Sequence, residues 1–187
     1  MKRTMRTYAA VILGFLFITM TGWAIDNPLK DAKVGEWLQF ATHAEVMGQT
    51  RETKMKLTVI AKDAASVTLR TVIDAGIMGR EMPPQDVKYM LDKPYEPLKS
   101  GSSDAVVTQL GEGTETIIVG GKSYECHFIK VKTVETKPLA LESISTVWGC
   151  KDVPVNHMVK MESEATTTRG GKVLTTKTTM ELIGAGR

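Results

Sequence analysis

From Val34 onward apolar residues recur at every second position, with Thr and Val abundant and few stripes of helical spacing. A period of two places alternate side chains on opposite faces of a strand, so this pattern commits the chain to half-buried β structure. Leu38, Phe40, Ala44 and Val46 share one face of a first strand, Met55, Leu57 and Val59 of a second, and Val67, Leu69 and Ile73 of a third. Lys62-Asp63-Ala64-Ala65 is the turn between the second and third. Gly120-Gly121 and Gly170-Gly171 each separate two β-rich runs, where a two-residue hairpin turn needs positive φ that Gly supplies without steric cost. The expected architecture is mainly β: a single curved antiparallel sheet, a half-barrel or open-barrel meander, with one or two short helices.

Two hairpins predict their own register. With Gly170-Gly171 as a two-residue loop, opposed residues sum to 341. Lys177 then faces Glu164 and Glu181 faces Lys160, while Met180 meets Met161 and Leu182 meets Val159. One face is a charge ladder and the other apolar, and a slip of one residue would mix them. If the chain reverses around Lys137-Pro138, opposed residues sum to 276, which sets Phe128 against Trp148 and Cys126 against Cys150.

The middle of the chain interrupts the meander. Pro83-Pro84 followed by Gln85 to Leu91 predicts a short helix with proline in its first turn. Residues 92–104 hold Pro94, Pro97, Gly101 and several serines, the composition of a loop. Asn27 to Ala32 is the other candidate helical turn. Neither side of the loop completes a sheet alone, so 25–187 reads as a single antiparallel β domain.

Residues 1–24 carry Lys2, Arg3 and Arg6, then an apolar run from Tyr8 that ends in Gly22-Trp23-Ala24. This is the charged start, apolar core and small-residue site of a secretory signal peptide, with cleavage expected after Ala24. An uncleaved anchor is the competing reading, since about 17 residues is close to the shortest membrane span. Cleavage removes three of the 24 basic residues and none of the 21 acidic ones. The formal charge of +3 therefore belongs to the leader, and the remaining chain is balanced, which argues against nucleic acid as a partner. The expected location is the periplasm or the exterior. There the only two cysteines, Cys126 and Cys150, are expected to form a disulfide worth on the order of 3 kcal/mol, with two buried thiols as the alternative.

Catalytic and metal chemistry find little to stand on. Cys126, Cys150 and His157 are the conceivable metal set, but no CxxC or His-x-x-x-His spacing accompanies them. Ser143 and Ser145 lack a nucleophile-elbow context. Glu162 and Glu164 share a strand face opposite other charged groups. Gly111-Glu112-Gly113 reads as a turn and not as a phosphate cradle. No cofactor is implied. The residues with binding potential are apolar: Trp37, out of phase with Leu38 and Phe40, and the cluster Tyr89, Met90, Leu91 and Tyr95. That cluster either closes a ligand cavity over the curved sheet or caps the core.

Val34-Gly35-Glu36-Trp37, the stretch Val147-Trp148-Gly149-Cys150-Lys151-Asp152-Val153-Pro154-Val155 and Val159-Lys160-Met161-Glu162 resemble segments of poorly characterised exported β-rich bacterial proteins. More distantly, the alternating pattern with this late segment is similar to the LolA/LolB-like periplasmic lipoprotein carriers. That resemblance implies a half-barrel that holds acyl chains against a curved sheet, and it carries no binding residues across. The expected function is an exported, non-catalytic β protein that binds a lipid, another hydrophobic ligand or an envelope component. It is not an integral membrane protein once the leader is removed. The alternative is a structural or protein-interaction module of the cell envelope.

Overall fold

The computed structural model describes residues 27–46, 48–74, 82–93, 95, 105–136, 140–169 and 172–187. The proposed leader, the Gly170-Gly171 turn, the reversal at Lys137-Pro138 and most of the 92–104 loop lie outside them. Nine strands form one antiparallel sheet: β1 (Trp37–Val46), β2 (Gln49–Lys62), β3 (Ser66–Asp74), β4 (Gln85–Met90), β5 (Val106–Val119), β6 (Lys122–Glu135), β7 (Leu141–Gly149), β8 (Met158–Arg169) and β9 (Lys172–Gly186). The spatial order is β4-β3-β2-β1-β9-β8-β7-β6-β5. Two meanders, β1–β4 and β5–β9, thus meet where the last strand pairs with the first, and β4 and β5 are left as free edges. The sheet does not close, but it curls far enough to bring β5 back towards β9.

Local chemistry sets the turns. At Gly120 and Gly121 φ is 59° and 78°, the left-handed conformation expected of that hairpin. At the β2–β3 turn the Asp63 carboxylate accepts the N–H groups of Ala65 and Ser66 at 2.8 and 2.7 Å and the Ser66 hydroxyl at 2.9 Å. These bonds, Ala65's foremost, hold its pKa below the usual carboxylate range. The ladder skips a residue near Ile60, Leu110, Val159 and Ile183, and such bulges bend and twist the strands that carry them.

The predicted registers hold over the paired lengths, although the expected Val159–Leu182 pair is absent from the β8–β9 ladder, which ends at Lys160↔Glu181. Lys160 pairs with Glu181, Met161 with Met180 and Glu164 with Lys177, and Phe128 pairs with Trp148. Lys160 bridges Glu162 at 2.9 Å and Glu181 at 3.2 Å on the solvent face. The other face of the sheet is the core, where Phe40, Leu38, Val59, Val67, Leu69, Val159 and Met161 are fully enclosed. Ser66, Thr133, Ser145 and Thr178 are buried among or beside them.

Two local expectations are corrected. Gln85 to Leu91 is not helical: Gln85–Met90 is strand β4, paired with β3 from Ser66↔Met90 to Thr71↔Gln85. A helix this short pays its nucleation cost for few hydrogen bonds, whereas the open edge of β3 offers a ready ladder. Pro83 and Pro84 precede the strand, where a missing N–H does no harm. Helix is confined, among the described residues, to a 3-10 turn at Pro28–Lys30, capped by the Asn27 side chain. Gly111-Glu112-Gly113 is not a turn either, because it lies inside β5. Gly113 faces Phe128, and a Cβ there would come within 2.9 Å of the Phe128 ring, so its small size serves a close approach and not a reversal.

Phe40→Ala is expected to lower the unfolding free energy by about 3–5 kcal/mol, because Phe40 is fully buried at the centre of the sheet. Val173→Ala, at an exposed position, is expected to change it by about 0.5 kcal/mol or less. Urea titration of both variants checks the contrast.

Candidate functional site

Ladder registers fix which side chains share the concave face. Beyond the enclosed core, one row crosses six strands as Thr53–Thr42–Met180–Met161–Val147–Ile129. The next row is Arg51–Ala44–Thr178–Ser163–Ser145–Val131, and the one after it Gln49–Val46–Thr176–Ala165–Ser143–Thr133. Bulky aliphatic and thioether groups thus give way, within two residues along each strand, to alanines and hydroxyls. The hydroxyls are partly self-satisfied, with Ser145 Oγ on Ser163 Oγ at 2.8 Å. Thr42, Val46, Ser143, Ser163 and Thr176 are half-buried, while Ala44, Thr178, Ser145, Val131, Ala165 and Thr133 are buried, so this part of the face is enclosed in places and sheltered in the rest. Arg51 is the one cation in these rows among the described residues. It is half-buried, and its guanidinium has no hydrogen-bond or ion-pair partner among them.

The opposite end of the concave face is plugged. Asn27 Nδ2 donates to the carbonyls of Met90 and Lys93 at 3.4 and 3.0 Å, and Leu91 N–H donates to Ala65 O at 2.8 Å. Lys62 Nζ donates to Ala32 O at 2.8 Å. The Tyr89 and Tyr95 rings meet edge to face with centroids 5.4 Å apart. Asn156 Nδ2 donates to Tyr95 Oη at 3.4 Å. Burial pushes both phenols up, Tyr95 the further of the two. The third part of the plug is the 150–157 loop, which inserts the buried side chains of Val153 and Val155. Val155 and His157 adopt φ of 64° and 63°, conformations that a β-branched residue in particular reaches only under constraint. Burial also lowers the pKa of His157.

The four apolar candidates do not converge. Tyr89 and Tyr95 come together within the plug, packed on the core. Met90 is exposed on the other side of β4. Trp37 faces the convex side, as its phase predicts, and lies across Gly184 and Gly186 with Lys56 Nζ 4.6 Å from its ring centroid. A Cβ at Gly186 would come within 2.9 Å of the indole, so a β-carbon in that track would push the ring off the sheet.

The expected disulfide is not formed: Cys126 and Cys150 are both buried free thiols. The β6–β7 ladder keeps the predicted register only as far as His127↔Gly149. Cys150 then turns into the loop, donating its N–H to His157 O at 2.8 Å and accepting that of Val153 at 3.1 Å. Burial, the neighbouring Cys150 and Glu115 push the Cys126 thiol up to about 11, which keeps it out of the reactive thiolate form at neutral pH. Glu115, the ladder partner of Cys126, accepts the indole N–H of Trp148. Among the described residues no three His, Cys, Asp or Glu side chains are placed to hold a metal, so Cys126, Cys150 and His157 do not assemble as one.

Arg51 is the site residue that the sequence reading passed over. The signal was present, since Arg51 is in phase with Met55, Leu57 and Val59 and so belongs to the apolar face of its strand.

An open, curled, antiparallel sheet with a sheltered concave face and a plugged end is the class of protein that these features define. No family model matches the chain, and no curated protein does. Among solved structures, it shares its fold with a protein of Bacteroides fragilis designated as exported and YmcC-like in fold, at a TM-score of 0.51 and 10% identity over 87% of this chain and 99% of that one. Weaker likenesses are a Parabacteroides distasonis protein designated as a lipoprotein (TM-score 0.45, 13% identity, 83% and 97% covered) and the S-type phycobiliprotein lyase CpeS of Guillardia theta (TM-score 0.36, 12% identity, 82% and 90% covered).

The buried tyrosines set an alkaline limit on stability. A phenol whose pKa is higher folded than unfolded contributes fully below the unfolded value, about 10, and loses that contribution as the pH rises above it. Unfolding free energy is therefore expected to fall above about pH 10. Tyr95→Phe is expected to flatten that fall, as read by urea titration across the alkaline range.

Proposed function

We propose that the protein is an exported, non-catalytic binding protein that holds a hydrophobic or amphiphilic ligand on the concave face of its sheet. The observation that carries this reading is the passage, across six adjacent strands, from bulky core side chains to alanines and hydroxyls, some of them buried and some half-buried. Side chains of that size leave room in the curl, where larger ones would fill it. The basic and apolar leader supports export with cleavage after Ala24, to the periplasm or beyond, as does the designation of the B. fragilis protein that shares the fold. No helix among the described residues is long and apolar enough to cross a membrane. The distant resemblance of the sequence pattern to the LolA/LolB-like carriers is what suggests lipid as the ligand class.

A second reading rests on the free edges. β5, fourteen residues long, has no pairing strand on its outer side among the described residues, and Val106, Leu110 and Ile118 are exposed along it. An envelope protein could add a strand there.

Native mass spectrometry and solvent extraction of the purified protein test the first reading, which expects bound lipid or a binding-induced shift with hydrophobic probes. Thr176→Trp, which fills the concave face, is expected to weaken probe binding at least about tenfold while circular dichroism stays unchanged. Protein that carries no lipid and ignores such probes, but captures an envelope protein stoichiometrically, supports the second reading instead.

A further inference from the structure

We infer that the concave face is built for a single-chain amphiphile with a carboxylate head, and that Arg51 is the residue that takes the head. The inference rests on the concave-face reading above and goes further by naming the chemistry of the ligand.

Three observations support it. Arg51 is the one cation of the three concave rows among the described residues, and its row neighbours Ala44, Thr178, Ser163, Ser145 and Val131 are all neutral. Its guanidinium is half-buried and has no partner among the described residues. Other basic groups have found partners: Lys160 bridges two carboxylates, Arg70 meets Asp86 through two nitrogens at 2.8 Å, and Lys56 lies over Trp37. A partly desolvated guanidinium whose own row is neutral is costly, and an anion that binds it in fork geometry offsets that cost. One positive charge, with no second cation in the three rows among the described residues, matches a monovalent carboxylate better than a phosphate monoester, which carries nearly two negative charges.

The tail has a surface to follow. Half-buried Met55 and Ile73 pair on one side of Arg51, and half-buried Val46 and Leu174 lie on the other. Both flanks are apolar and sheltered, while the hydroxyl row between them can solvate the head. Arg51 would thus fix the head and the curl of the sheet would cover the chain. A neutral amphiphile gains the second contribution without the first.

Calorimetric titration with dodecanoate, dodecyl phosphate and the neutral glycerol ester monolaurin tests this. The full chain is expected to bind dodecanoate about tenfold or more tighter than monolaurin, as a charge-assisted hydrogen bond warrants, and tighter than dodecyl phosphate. Arg51→Leu is expected to abolish the preference for dodecanoate while monolaurin still binds. Arg51→Lys is expected to keep part of it. Independently of any variant, the preference in the unaltered protein is expected to shrink as salt is raised and as the pH falls through the range where the carboxylate protonates. Equal binding of dodecanoate and monolaurin, or a preference that survives Arg51→Leu, overturns the role of Arg51 and leaves the concave-face reading standing. A preference for dodecyl phosphate overturns the choice of carboxylate. Failure of all three ligands to bind overturns both this inference and the reading beneath it.

Discussion

The sheet depends on the pairing of β1 with β9. Ten residues of the first strand, Trp37 to Val46, are hydrogen-bonded to the last, and the pair Phe40–Leu182 sits within that seam with both side chains buried. Without the seam there would be two smaller meanders, each with an apolar face too narrow to cover itself. With it, the apolar row from Met180 through Met161 and Val147 to Ile129 extends without a break to Thr42 on β1. The curl, the core and the sheltered concave face all follow from that continuity. A second contact ties the same ends together, because Arg187 Nε reaches the buried carboxylate of Glu36 at 3.1 Å.

Concave and convex faces have divided the chemistry between them. Charges on the convex face are matched in ladders, such as Lys160 between Glu162 and Glu181, and such exposed pairs set register more than they stabilise. Aromatic groups there lie flat where glycines permit it, Trp37 across Gly184 and Gly186 and Phe128 across Gly113. Among the described residues the concave face carries few charges, Glu112 and Glu135 towards the β5 edge and Arg51 on β2, and Arg51 is the one cation in its rows. Tyr89 and Tyr95 close one end of the concave face.

Much of this was legible because strand registers are arithmetic. The β8–β9 hairpin announces its pairing through an alternation of charge and apolar side chains that only one register satisfies, and the β6–β7 pairing, Phe128 against Trp148, follows from a reversal placed at Lys137-Pro138. The β1–β9 seam was not legible. Its partners are about 140 residues apart in sequence, and no local pattern names a distant partner. Gln85–Met90 misleads for a related reason: a proline pair followed by Lys88, Tyr89, Met90 and Leu91 suits a helix, and only the tertiary offer of β3's edge overrides that preference. At Gly113 the sequence shows a glycine but not the ring that needs its absent side chain. Cys126 and Cys150 show the limit of register arithmetic, which places two residues opposite each other but cannot foresee that the chain leaves the ladder one step earlier.

The strand order carries a consequence for how the molecule is made. β9 follows the other eight described strands in the chain and occupies the middle of the finished sheet, with four strands on either side. Until it arrives, β1 and β8 are open edges, and the two halves have no means of recognising each other. Hairpins on each side are local and quick to form, but the joining step spans nearly the whole chain and pays the entropy of that distance. A sheet whose halves are joined only through β9 settles its architecture late in folding, and release of that one strand separates it again into two meanders.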